Sequence, residues 1–327
     1  MKSNLFIKTV FPVLMAVALT ACAAMQPTAR ALPPIRVEYT QWWGDYTLLV
    51  AQEKGFFAEY GVEVEPAYYE IFSDAYPDLA AGQLDAALLS TGDAMSVNRY
   101  TPIQIIGLED DGGYMPIVAN PEIKSLVDLR GKSVGTLVGT QYELIVTEML
   151  ASAGMTTADI TISNLDPEDI PDALANGEIQ AGFTWEPYTS QAIKKGAHII
   201  YPMNNTLRLL PDAIIFRQSV IDQRPQDVQA FMRAWFKAVD YRLNYPEETR
   251  QIAAKYIGVP VEQIEPDPSQ KIFTYEDNLA LFTQSSTEAN SIFNVMQKNA
   301  AYLIFNGSLA IMPDVKSIVT PRFLLQK

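Results

Sequence analysis

The sequence predicts two similar α/β lobes, each built on a mostly parallel sheet. Three observations carry this. Short strand patterns alternate with helical ones from residue 35 to residue 184. The segment Leu79-Ala80-Ala81-Gly82-Gln83-Leu84-Asp85-Ala86 recurs, with substitutions, as Leu174-Ala175-Asn176-Gly177-Glu178-Ile179-Gln180-Ala181, an offset of 95 residues. Each copy reads as a helix end, a glycine stop and a strand start. From Pro225 onward the pattern turns mainly helical.

In the first lobe, residues 35–40 alternate apolar and polar as a strand, and 46–54 form a helix stopped by Gly55. A second strand covers 62–65 before Pro66, and a helix over 78–81 ends at Gly82. Residues 85–89, 103–108 and 116–119 read as strands. In the middle section, 125–128 is a capping-box turn and 132–138 a strand. Thr140 and Glu143 then form a T-x-x-E capping box. Tyr142, Val146, Met149, Leu150 and Ala153 share one helical face, and Gly154 ends it. Asp166-Pro167 opens a helix closed by Gly177, and 180–184 is a buried strand. Helices follow over 227–243, 247–256 and 287–305.

Composition narrows the chemistry. The chain has 327 residues, one Cys, one His and a formal charge of −14. One Cys makes no internal disulfide, and one Cys with one His builds neither a Cys/His zinc site nor an iron–sulfur site. A Cys–His or Ser–His catalytic pair would have to use His198. The acid excess argues against a nucleic-acid partner, which needs clustered Lys and Arg. With 48% hydrophobic and 19% charged residues the chain is globular, and its length suits one large domain or two ordinary ones.

The first residues read as an address. Lys2 and Lys8 precede a short apolar run over 9–19, too short to span a bilayer. Leu19-Thr20-Ala21-Cys22 resembles a bacterial lipobox, which implies cleavage after residue 21 and a lipid on Cys22. The alternative is an ordinary signal peptide with an accidental Cys. Losing residues 1–21 removes two Lys and no acid, which deepens the charge from −14 to −16. Residues 22–34 read as a tether.

Ligands of open α/β sheets sit beyond the C-terminal ends of strands. The residues following the strands are therefore the candidates: Gln41 to Tyr46; Tyr68, Tyr69, Glu70 and Phe72; Ser90 to Asp93; Glu109, Asp110, Asp111 and Tyr114; Gly139 to Tyr142; and Trp185 to Tyr188. The internal repeat sets Ser90 opposite Trp185 and Thr91 opposite Glu186.

Several of these runs together resemble a known family. Trp43-Gly44-Asp45-Tyr46, Ala51-Gln52-Glu53-Lys54-Gly55-Phe56-Phe57, Tyr60-Gly61-Val62-Glu63-Val64, Ala81-Gly82-Gln83-Leu84-Asp85-Ala86-Ala87, Leu129-Arg130-Gly131-Lys132-Ser133-Val134-Gly135 and Phe183-Thr184-Trp185-Glu186-Pro187 stand in the order found in bacterial solute-binding proteins for sulfonates, taurine, nitrate and thiamine-precursor pyrimidines. The resemblance covers 35 to about 215, and the C-terminal helices look similar to that family too. It implies a two-lobed periplasmic-binding-protein fold of the second type, with 35–120 and 212–327 as lobe 1 and 121–211 as lobe 2. It also implies partnership with the permease and ATPase of an ABC importer, and capture of a small molecule by cleft closure without catalysis, cofactor or metal. The lipid on Cys22 would hold the protein at the extracytoplasmic face of the cell membrane, its only membrane attachment.

For ligand contact the expected residues are Trp42, Trp43, Asp45, Tyr69, Ser90, Thr91, Asp93, Thr140, Tyr142, Trp185, Glu186 and Tyr188. Each aromatic could equally be lobe core, and Asp45, Asp93, Asp110 and Asp111 could be helix caps or solvated surface. None of the strand-end sets holds Lys or Arg. Anions usually meet Arg or helix N-termini, so the sets favour a flat neutral or weakly basic ring, such as a thiamine-type pyrimidine or riboflavin. Arg99, Arg208 and Arg217 are the cations that could still approach the cleft and bind an anion. An enzyme that makes the thiamine pyrimidine is the alternative of another class, although the relatives of that kind use a cysteine-rich motif that this chain lacks. A lobe used only for sensing is a third reading, against which stands the lack of a spanning helix or signalling domain in the sequence.

Overall fold

The computed structural model describes residues 32–113, 115–202, 211–266, 270–285, 288 and 291–326. The predicted signal segment, Cys22, the tether up to residue 31, Tyr114 and Arg208 lie outside them. Residues 34–327 form one compact unit.

Among the described residues, ten strands make two five-stranded sheets of one topology. They are β1 (Ile35–Tyr39), β2 (Val64–Tyr68), β3 (Ala86–Ser90), β4 (Ile103–Asp110), β5 (Ile117–Ala119), β6 (Ser133–Thr136), β7 (Thr161–Asn164), β8 (Ala181–Phe183), β9 (His198–Tyr201) and β10 (Asp212–Arg217). The first sheet runs β2-β1-β3-β10-β4 and the second β7-β6-β8-β5-β9. β1, β2 and β3 are parallel, as are β6, β7 and β8. In each sheet one strand is reversed, β10 between β3 and β4, and β5 between β8 and β9. Each reversed strand follows directly on the last strand of the other lobe. The chain therefore passes between the sheets twice, between Asp110 and Ile117 and between Tyr201 and Asp212.

Several expectations shift in register. β5 belongs to the second sheet, so the lobe boundary falls before residue 117 and not after 120. The helix expected from Asp166-Pro167 begins at Ile170, with 167–169 a turn before it. Glu143 does not close a capping box onto Thr140. Its Oε2 accepts from Gly139 N (2.9 Å), while Thr140 Oγ1 accepts from Tyr142 N (3.2 Å). The helix expected from 287 runs Ile292–Phe305, capped by Ser291, whose side chain accepts from Asn294 N; residue 287 lies outside the described set.

The repeat read from the sequence has a physical counterpart, because β3 and β8 hold the same place in their sheets. The long amphipathic helix Pro225–Asn244 covers the first lobe. Its Phe231 stacks on Phe57 at 5.2 Å and meets Phe216 edge-on at 5.2 Å, with Trp235 fully buried beside it. Helix Ile292–Phe305 packs on Thr91–Val97 of the first lobe and Gln141–Ser152 of the second. Its Tyr302 hydroxyl pairs with Thr147 Oγ1 (3.2 Å), and Asn306 Nδ2 donates to Glu143 (3.3 Å).

Candidate functional site

Strand register assembles the site. β10 starts where β3 and β4 end, so Asp212 stands between Ser90 and Asp110. The loop after β1 brings Thr40, Trp42 and Asp45 to the same rim. From the second lobe, Tyr142 comes at the start of helix Gln141–Ser152 and Trp185 just after β8. Together with Phe72 and Met115 these residues line a half-open cavity between the lobes of about 40 Å³, room for roughly three waters.

Four aromatic rings among the described residues line it. Trp185 lies 5.3 Å from Tyr142, 5.7 Å from Phe72 and 6.2 Å from Trp42. Tyr142 also stacks on Phe183 at 5.3 Å. Each of Trp42, Phe72, Tyr142 and Trp185 is less than a tenth exposed, so the rings are at once cavity wall and inter-lobe packing.

Polar bonds join the lobes around these rings. Gly92 N donates to Gln141 Oε1 (3.1 Å), Gln141 Nε2 donates to Ser90 Oγ, and the Tyr142 hydroxyl donates to Asp93 Oδ2 (2.8 Å). Ser73 Oγ donates to Asp166 (2.9 Å). Gly92 is required by this approach, since a Cβ there would stand 2.1 Å from Gln141 Oε1 and 2.5 Å from its Cδ. The first-turn amides of helix Thr91–Val97 are all engaged: Thr91 N by Pro211 O, Gly92 N by Gln141, and Asp93 N by Ser90.

Beneath the cavity lies an acid cluster. Asp45, Asp93, Glu109, Asp110 and Asp212 are each less than a tenth exposed. Burial pushes Asp45 up to about 7, against the pull of its bonds from Thr40 N and Oγ1. Burial also raises Asp93 and Asp110, and raises Glu109 and Asp212 well above the usual carboxylate range, with the charges of Asp45 and Asp110 adding to it. Glu109 and Asp45 lie within hydrogen-bonding reach of each other, and a proton on Glu109 shared with Asp45 relieves both carboxyls. Glu109, Asp110 and Asp212 bring one oxygen each within 4.8 Å of one another, a spacing that a divalent cation or shared protons can use. Asp110 is already held by Trp42 Nε1 (3.0 Å) and Gly112 N (2.7 Å), so we read the cluster as proton-bridged. Arg242 is the buried counter-charge, itself lowered to about 10 by burial. It donates to Trp43 O (2.6 Å), Gly44 O (2.7 Å) and Thr47 Oγ1 (2.7 Å).

Of the expected ligand residues, Trp42, Asp45, Ser90, Asp93, Tyr142 and Trp185 line this cavity, and the others do not. Trp43 packs edge-on against Tyr46 (5.6 Å) and under Arg242 (5.0 Å). The Tyr69 hydroxyl donates to Asp78 (2.5 Å). Thr91 is buried behind Ser90, and Thr140 is a helix cap. Glu186 accepts from Ser190 N (3.2 Å), and the Tyr188 hydroxyl reaches Glu70 O at 3.5 Å. Thr40, Phe72, Met115, Asp212 and the bridging Gln141 were not singled out from the sequence, although Phe72 and Gln141 stood in the strand-end sets. Arg99 bonds Ser308 O and Arg217 pairs with Asp85 (2.9 Å), so neither enters the cavity. A second space of about 270 Å³ spans Gln41, Pro187, Ser190, Gln191, Lys194, Gln263 and Glu265, where Lys194 faces Glu265 at 3.9 Å. His198 lies in the edge strand β9, opposite Ala119.

Two lobes of equal topology, joined by paired crossings and meeting over a cavity lined from both sides, define the periplasmic-binding-protein fold. Solved structures agree: the nitrate-binding protein NrtA of Synechocystis PCC 6803 superposes with a TM-score of 0.74 at 17% identity, over 89% of this chain and 86% of that one. The chain belongs to the NMT1/THI5 like family, whose sequence profile matches residues 45–249. It is 24% identical to a Bacillus subtilis protein named as an aliphatic sulfonates-binding protein, over 85% of this chain and 83% of that one. It is 26% identical to a Haemophilus influenzae protein named as a thiamine biosynthesis protein, over 66% and 72%.

Two predictions follow from this geometry. Gln141→Ala leaves the Gly92 amide and Ser90 without their partner in the closed form, which costs about 1–3 kcal/mol. The ligand-free variant should therefore show a larger radius of gyration by small-angle scattering. Gly92→Ala, which evicts the same side chain, should give the same expansion, and the double variant no more than either. The second concerns pH. The raised carboxyls keep protons that the unfolded chain has released, so stability is full below the ordinary Asp value of 3.8 and is lost as pH rises toward about 7. The melting temperature should fall from pH 5 to pH 8, and Asp45→Asn should flatten that slope.

Proposed function

We propose that this protein is the solute-binding component of an ABC import system. A small solute enters between opened lobes, contacts both, and is carried in the closed form to a permease powered by an ATPase. The observation that supports this most is the cavity lined by Trp42, Asp45, Ser90 and Asp93 from one lobe and Tyr142 and Trp185 from the other. A ligand drives closure only by binding the closed state better, and contacts supplied from both lobes are the ones that differ between the two states. Cys22 as a lipid anchor on the extracytoplasmic face is part of the same proposal.

For the solute, the lining favours a small flat heteroaromatic ring, a thiamine-type pyrimidine in preference to riboflavin. Ring faces would stack on Trp42 and Trp185, and ring N–H or amino groups would donate to Asp45 and Asp93. Either ring needs the lobes to part further than they do here, and the smaller pyrimidine needs less. The relatives named for sulfonates and nitrate support a second reading, a compact sulfonate- or nitrate-type anion. Against it stand the lack of Lys or Arg among the described lining residues and the occupied first-turn amides of helix Thr91–Val97.

Mass spectrometry of the solute released on denaturing the purified protein tests the role and the ligand together. A pyrimidine is expected. Taurine or an alkanesulfonate, coupled with thermal stabilisation by those compounds and none by pyrimidines, would replace the ring reading with the anion reading. Trp185→Ala should abolish the ligand-induced fluorescence change. Because Trp185 packs on rings of both lobes, the variant should also lower the melting temperature.

A further inference from the structure

Phe72 lines the cavity, and its neighbours in the chain form a second seam between the lobes. Residues 70–74 bring Glu70, Ser73 and Asp74 from the first lobe, and residues 166–169 bring Asp166, Glu168 and Asp169 from the second. Ser73 Oγ donates to Asp166 Oδ1 (2.9 Å), and the Tyr188 hydroxyl of the second lobe reaches Glu70 O at 3.5 Å. The Phe72 amide of the first lobe lies within bonding reach of the Glu168 carboxyl, whose Oε2 is shut off from water.

The surroundings of Glu168 disfavour its charge. Asp166 and Asp169 stand on its own turn. Tyr68 faces it from the first lobe and Tyr188 from the second-lobe helix Tyr188–Lys194. Glu70 acts on both tyrosines, and Asp74 acts on Asp166. Lys194 and Lys195, at the far end of that helix, pair with Glu265 and Asp172. Among the described residues no Lys or Arg pairs with Glu168. A carboxyl that is buried among other acids without a cation favours its protonated form. Burial, with the charges of Asp166 and Asp169, raises Glu168 from 4.5 to about 8, against the pull of the Glu168 and Phe72 amides.

Half of this seam belongs to each lobe, so parting the lobes removes the cover over Glu168 and admits water to it. Building on the lobe motion of the solute-binding reading, we propose that closing the cleft takes up a proton at Glu168, so that external acidity sets how far the lobes stay closed. The open form, with an ordinary carboxyl, releases that proton. The closed form therefore has its full advantage below about 4.5 and loses it as pH rises to about 8. An acidic exterior favours capture, and a neutral or alkaline one favours release.

Small-angle scattering of the ligand-free, full-length protein from pH 5 to pH 9, at constant ionic strength, tests this. The radius of gyration should rise across that range and level off above about pH 8. The closed-to-open ratio should fall by at most about tenfold per pH unit, the limit for one proton. Glu168→Gln keeps the shape of the protonated side chain and should remove most of the rise, leaving the protein closed at pH 9. Asp93, which accepts the Tyr142 hydroxyl across the cleft, is also raised, and this variant leaves it in place. A radius that stays constant from pH 5 to pH 9 overturns the proposal, as does an unchanged rise in Glu168→Gln. If Glu168→Gln does not fold, carbon-13 titration of Glu168 in the unaltered protein decides: a midpoint near 8 upholds the proposal and one below 5.5 overturns it. The solute-binding reading is judged separately, by the solute released on denaturation.

Discussion

The structure turns on how a group of buried acids is tolerated at the meeting point of two lobes. Asp45, Glu109, Asp110 and Asp212 converge because three strand ends and one loop converge. Gly44 makes the convergence possible, since a Cβ there would lie 2.0 Å from Asp110 Oδ2 and 2.4 Å from Glu109 Oε1. Charged carboxylates buried this densely would repel one another and lose their hydration. Retained protons and, among the described residues, the Arg242 guanidinium relieve the conflict. Arg242 comes from the long C-terminal helix, so the helical tail is also a structural clamp on the loop that presents Trp42 and Asp45.

That clamp gives the first lobe a rigid rim for the second lobe to close against. The contacts across the cleft among the described residues include Gln141 on Gly92 and Ser90, Tyr142 on Asp93, Ser73 on Asp166, and Trp185 among the rings. Such a set can be exchanged for ligand contacts, because its hydrogen bonds and ring faces are those a small solute would use. Each sheet takes its reversed strand directly after the last strand of the other lobe, so the chain passes between the lobes twice while each sheet stays intact.

Much of this was legible in the sequence where local physics decides it. The recurring helix–glycine–strand segment foretold two equivalent sheets, and the rule that ligands gather at strand ends selected the loops holding Trp42, Asp45, Ser90, Asp93, Tyr142 and Trp185. What was illegible depends on pairing over distance. β10 is a short apolar run whose insertion between β3 and β4 no local pattern encodes, and without it Asp212 has no reason to join Asp110. Asp110 itself read as a cap or surface acid, but it is fully buried. Trp43 and Trp42 are indistinguishable as letters, yet one faces Arg242 and the other the cavity.

Glu109 and Asp212, raised furthest by burial and neighbouring carboxyls, keep protons beyond the usual carboxylate range, and Arg242 supplies the only buried counter-charge among the described residues. Carbon-13 titration of the side-chain carboxyls in the ligand-free protein tests it most directly. The account predicts that Asp45 titrates near pH 7 and that Glu109 and Asp212 remain protonated beyond the usual carboxylate range. Titration of all these carboxyls below pH 5 would contradict it, and would mean that water or a bound cation reaches the cluster.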